Sequence, residues 1–213
     1  MRRHSSLTLL LIAAFGVAAS GTAAATVRRD GTPTSLAKQA KAFGITKAGP
    51  KYRFHKQQAS SGTLRLTVEV PTAWSDTADS HFIRPDTQQP YGVGVRATTN
   101  ADKFHNSFDV PGLKVTVDVE TASQAASFDP IELVTNNAYK GCRNGSVRNY
   151  DNGTFSGKFQ VFDRCGKRRA AAVVVAANDG GTIVLAAAQV LTKADLGAVD
   201  RALRTVKIDK TSI

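Results

Sequence analysis

The chain has 213 residues, a formal net charge of +11 at pH 7 and only two cysteines. That length suits one domain with a tail and is enough to bury a core. Two cysteines exclude a Cys-rich metal site, and their distance apart in sequence excludes a C-x-x-C redox motif.

The first residues carry positive charge at Arg2, Arg3 and His4. An apolar run over 7–19 follows, and then small residues at Gly21, Ala23, Ala24 and Ala25. This is the order of a cleavable export signal, so residues 1–25 are expected to leave as a leader, with cleavage before Thr26. The run is shorter than the roughly 20 apolar residues of a spanning helix. No Cys stands at the cleavage site to take a lipid, and the Arg2-Arg3 pair lacks the context of a twin-arginine signal. The expected location is secreted or extracellular, with attachment to a cell wall as an option. In that compartment Cys142 and Cys165 read as a disulfide.

Charge is unevenly spread. Residues 26–63 hold eight Lys or Arg against Asp30 alone, so +7 of the charge lies there. A basic flexible arm is therefore expected over 26–61, with a short helix within 35–43. The anionic partners it implies are a wall polymer or a membrane surface; export argues against nucleic acid. Over 51–56, basic and aromatic residues alternate. That segment reads as a Lys-protected edge strand, with anionic-polymer binding as the alternative.

A single α+β domain is expected over 62–213. Leu64, Leu66, Val68 and Val70 alternate with Arg65, Thr67 and Glu69, the period of a half-buried strand, and Pro71 ends it. Residues 71–91 read as a long loop. A strand over 93–98 follows, then a helix over 101–108 capped by Asn100. Leu113, Val115, Val117 and Val119 mark another strand. Asp129 and Pro130 open a short helix. Strands over 146–150 and 154–163 flank the turn Asp151-Asn152-Gly153, which places Cys142 and Cys165 near each other at the hairpin base if the chain bulges. Strands over 169–177 and 182–191 are apolar nearly throughout and should be central. Thr192 and Asp195 form a capping box for a last helix, with Leu196, Val199, Leu203 and Val206 on its buried face. These elements predict a mainly antiparallel twisted sheet of about six or seven strands with flanking helices.

A strand ending Val70-Pro71-x-x-Trp74, the element Phe108-x-x-Pro111-Gly112, and the hairpin Tyr150-Asp151-x-Gly153-x-Phe155-x-Gly157 before Cys165-Gly166 together resemble small exported actinobacterial proteins. The pattern is similar to the LpqN-type group with a PsbP-like α/β sandwich and covers about residues 62–208. The resemblance implies a non-enzymatic envelope protein or binding module and transfers no catalytic residue.

No cofactor motif is present. The glycines do not form a phosphate loop. Ser156 stands one place late for a nucleophile elbow. The group Asp76, Asp79 and His81 reads as a solvated acidic loop rather than a metal site. Lys167, Arg168 and Arg169 read as strand-end charges. The long 71–91 segment supplies the candidate ligand-binding residues Trp74, His81, Phe82, Arg84 and Tyr91, because binding concentrates in long loops on rigid sheets. The alternative is that Trp74 and Phe82 only close the core. Three functions follow: a non-enzymatic binding module of the cell envelope, a small secreted hydrolase using the 71–91 loop, or a passive wall protein held by its arm.

Overall fold

The computed structural model describes residues 35–119, 129–135, 139, 141–179 and 181–210. The expected leader and residues 26–34 of the arm lie outside them. The chain is α+β, mostly antiparallel sheet with a few helices. Two sheets are present. One has β1 (Phe54–Ser61), β2 (Leu64–Pro71) and β11 (Lys207–Lys210), in the order β1-β2-β11. The other holds β3 (Asp76–Ile83), β4 (Pro90–Thr98), β5 (Gly112–Val119), β6 (Arg143–Asn144), β7 (Arg148–Asp151), β8 (Ser156–Cys165), β9 (Ala170–Asn178) and β10 (Thr182–Val190). Its order is β3-β4-β5-β10-β9-β8-β6, with β7 also paired to β8.

The period-two pattern explains the layering. In β9, Ala171, Val173, Val175 and Ala177 face one core, while Ala170, Ala172, Val174 and Ala176 face another. The first and larger core lies between the two sheets and includes helix α3 (Lys193–Arg204), which buries Leu196, Val199 and Leu203. The second lies under helix α2 (Pro130–Thr135) and gathers Val134, Phe162 and Cys165. Tyr139 stands edge-on between Phe108 and Phe162 there, and burial pushes its phenol up to about 12. The expectation that both central strands are covered on both faces holds for β9. The second face of β10, with Ile183, Leu185 and Ala187, is half-buried.

Several expected boundaries are corrected. The described strands number eleven rather than six or seven. The 71–91 segment is not a loop: Asp76–Ile83 is a full strand, paired from Asp76↔Thr98 to Ile83↔Pro90. Its sequence hides this because β3 is a sheet edge with no buried residue, so no apolar alternation is needed. Nor is the described part of the basic arm a free tail. Ala37–Phe43 is a 3-10 helix, and Leu36, Ala40, Phe43 and Ile45 are buried in the main core. The domain therefore begins well before residue 62. The 51–56 segment leads into β1, an edge strand as expected, though shifted to Phe54–Ser61.

The caps read from sequence are present. Asn100 accepts the Lys103 N–H at 2.9 Å at the start of helix α1 (Ala101–Asn106). Asn152 accepts the N–H groups of Thr154 and Phe155, and its amide donates to the Leu203 carbonyl at 2.9 Å. That ties the β7–β8 turn to α3. Gly157 in β8 must lack a side chain, since a Cβ there would lie 2.1 Å from the Ala176 carbonyl oxygen.

Cys142 and Cys165 are disulfide-bonded, with Cα atoms 4.3 Å apart. Pairing of Arg143 with Asp163 sets them opposite, and the register shift between Phe162 and Cys165 supplies the bulge. Arg164 in that bulge has φ +57°. The bond closes a loop spanning β6, β7 and β8, and such a closure contributes about 3 kcal/mol through the unfolded chain. The double variant Cys142→Ala/Cys165→Ala should therefore melt roughly 6–12 °C lower by calorimetry. An unchanged melting temperature would show that the bridge is not a staple.

Candidate functional site

The β3–β4 hairpin brings four of the five sequence-selected residues toward one end of the sheet and separates the fifth. Phe82 pairs with Gly92, and the register then shifts between Phe82 and Ile83. The turn is closed by Arg84 N–H donating to the Gln89 carbonyl at 2.9 Å and Gln88 N–H donating to the Arg84 carbonyl at 2.8 Å. Gln88 takes φ +56° to complete it. The Arg84 guanidinium lies 4.9 Å from the Tyr91 ring centroid, and the Phe82 and Tyr91 rings are 6.2 Å apart. These three side chains are half-buried, while His81 is exposed and Ile83 is 50% exposed. The result is an aromatic–arginine cluster at the end of a paired hairpin.

The His81 imidazole has no hydrogen-bond partner among the described residues and stands exposed on an edge strand. Asp76 is drawn elsewhere. It accepts from Ala101 N–H at 2.6 Å and pairs with Arg96 at 3.3 Å, so it anchors the start of α1. Among the described residues no group of three or more His, Cys, Asp or Glu is arranged to hold a metal ion.

Trp74 is not part of the hairpin cluster. It is fully buried in the main core just after β2. Its indole N–H reaches the Tyr52 hydroxyl at 3.4 Å, and that hydroxyl donates to Asp195 at 2.5 Å. Tyr52 and Trp74 meet edge-on at 5.9 Å. Burial, then the bond to Asp195, raises the Tyr52 phenol above its ordinary range. The core-closing alternative therefore describes Trp74. Phe82 differs, being half-buried at the surface cluster.

Arg96 also approaches His105, with Nη1 3.0 Å from Nε2. The guanidinium can only donate, so Nε2 accepts and the ring is neutral with its proton on Nδ1. Burial first, then Arg96 and Lys114, lower the His105 pKa from 6.5.

Sequence reasoning passed over a second place. A cavity of about 320 Å³ opens between the 3-10 helix and the segment 143–148, lined by Phe43, Arg143, Gly145, Ser146, Arg148 and Asp163 among others. Another, of about 420 Å³, lies between β2 and α3, with Glu69, Asp200, Arg201 and Arg204 on its walls. Neither has a motif, because each joins segments distant in sequence. No protein-family model, curated protein or solved structure matches the chain. No helix among the described residues is long and apolar enough to cross a membrane.

Tyr52→Phe leaves Trp74 and one Asp195 oxygen without their partner and should cost about 1–3 kcal/mol in chemical denaturation. Trp74 emission should be blue and resistant to iodide in the native protein. Strong quenching would place the indole at the surface instead.

His105 gives a pH dependence. The folded state holds it neutral, so on acidification the unfolded chain takes up the proton first. The contribution is complete above pH 6.5 and declines as pH falls through that value toward the lower folded pKa. His105→Gln should flatten this part of the stability–pH curve, and an NMR titration of the wild-type ring should give a midpoint below 6.5.

Proposed function

We propose that the chain is an exported, non-enzymatic binding module of a cell envelope. The observation that carries the reading is the β3–β4 end, where Phe82, Arg84 and Tyr91 are grouped beside exposed His81 and Ile83 on a paired hairpin. Aromatic and arginine side chains held on rigid backbone lose little freedom on binding and often dominate interfaces. The disulfide is compatible with a secreted or extracellular protein. The leader pattern over 1–25 and the resemblance to LpqN-type proteins with a PsbP-like sandwich support the same reading.

The hydrolase alternative requires His81 to be held by a carboxylate or a serine, and its exposed, unpartnered imidazole gives that reading no general base. The passive-wall alternative rests on a loose basic arm. It is weakened by the packing of residues 35–45 into the domain.

Sedimentation with purified native envelope tests the proposal. The oxidised protein should co-sediment, and Arg84→Ala/Tyr91→Ala should weaken retention by about thirtyfold, the scale of an interface hot spot. His81→Ala should weaken it less, with circular dichroism unchanged in both variants. Equal retention of the double variant would remove the hairpin from the function. Ester turnover that disappears in His81→Ala would replace binding with hydrolysis.

A further inference from the structure

The cavity beside the 3-10 helix has a cation at its rim that the fold positions but does not neutralise. Arg148 leads β7 and lies over the Phe43 ring, 5.5 Å from guanidinium carbon to ring centroid. Its Nη1 donates to Gln39 Oε1 at 2.8 Å, and its Nε reaches Ser146 Oγ at 3.5 Å. All three contacts are with neutral groups. They fix the fork while leaving its full positive charge.

Arg143, across the same cavity, is a contrast. It makes a two-pronged pair with Asp163, with Nε to Oδ1 at 2.8 Å and a second, shorter contact from Nη2 to Oδ2. That pair holds the opposite wall and leaves the cavity with the net charge of Arg148. Lys38 and Lys41 add charge nearby on the 3-10 helix, exposed and without an ion-pair partner among the described residues.

The wall between the two arginines is pinned. Gly145 N–H donates to the Val161 carbonyl at 2.8 Å, and Gln160 Nε2 donates to the Gly145 carbonyl at 2.9 Å. A Cβ at residue 145 would lie 2.5 Å from the Val161 oxygen, so only glycine allows this approach. A preformed concave wall with a hydroxyl at Ser146 and a fork at Arg148 matches tetrahedral oxyanions, which accept from both. A cavity of about 320 Å³ is of the size that takes a small ligand group, whereas a bilayer presents a plane of headgroups.

We infer that this cavity binds the phosphate groups of a soluble phosphodiester polymer, with Arg148 as the principal contact and Lys38 and Lys41 following the chain beyond it. The site lies at the β6–β8 edge of the large sheet, away from the β3–β4 end, and stands independently of the hairpin reading.

The test is a titration of the oxidised, isotopically labelled protein with poly(glycerol phosphate), followed by amide NMR. Shifts should concentrate at Phe43 and residues 143–148, and affinity should fall steeply with added salt. Arg148→Met keeps an apolar stem over Phe43 and removes the charge. It should bind at least about tenfold more weakly, the loss expected for a charge-assisted hydrogen bond. Lys56→Gln, on β1, removes one charge elsewhere and should change affinity less than twofold or so. Lys38→Gln/Lys41→Gln should reduce the salt dependence. Shifts that map elsewhere, or equal affinity in Arg148→Met, would overturn the site; the shift map decides alone if that variant does not fold. Binding to phosphatidylglycerol vesicles but not to the polymer would overturn the assigned ligand.

Discussion

The Asp195 carboxylate joins the start of α3 to Tyr52, 143 residues earlier in the chain. One oxygen accepts the Tyr52 hydroxyl, and the other accepts the backbone N–H groups of Leu191 and Thr192. Asp195 is 1% exposed, so these bonds compensate a charge taken almost wholly out of water. The free donors at the start of α3 are then accounted for in turn. Lys193 N–H goes to the Lys47 carbonyl at 2.8 Å, Ala194 N–H to the Ala48 carbonyl at 3.0 Å, and Asp195 N–H to Thr192 Oγ1 at 3.2 Å. Donors that most helices give to water here receive a segment of the N-terminal chain.

A second aspartate on the same helix completes the grip. Asp200 accepts from Leu36 N–H at 3.0 Å, from Ala37 N–H at 3.3 Å and from Ser35 Oγ at 2.8 Å. It thus caps the 3-10 helix from more than 160 residues away in sequence. Lysine-rich composition argues for disorder only while the backbone has nothing to bond to. Here α3 supplies the acceptors for one helix and takes carbonyls from the segment after it. Leu36, Phe43 and Ile45 then add burial to an order that hydrogen bonds have already specified.

What the sequence made legible follows from this division. Regular alternation in Leu64–Pro71 and Gly112–Val119, the capping box at Thr192 and the disulfide pair were readable because each is a local pattern or a count. The register shift that seats Cys165 was readable only as a requirement, not as a place. Asp76–Ile83 was unreadable as a strand because an edge needs backbone pairing and not apolar alternation. Trp74 stands in the corner joining β2 to β3, and without apolar alternation in β3 that corner reads as part of a loop. Lys207–Lys210 is four residues long and earns its place only by pairing with β2. The cation at Arg148 was invisible for a different reason. Its partners, Gln39 and Phe43, lie more than 100 residues earlier.

The same architecture decides where chemistry remains accessible. The centre of the large sheet is committed to packing, since β9 buries both faces. Two organised groups of solvent-facing side chains lie at the two edges of this sheet. At one edge, β3 carries Asp79 and His81 outward, and charged residues on an edge strand discourage pairing with another sheet. The register shift after Phe82 ends regular pairing where the aromatic–arginine cluster begins. At the other edge, β6 is only two residues long, too short to template a further strand. The chain around it turns back on β8 through Gly145, which opens the cavity instead of extending the sheet. Regular pairing thus ends early at both edges, and there Arg84 and Arg148 each stand beside an aromatic ring.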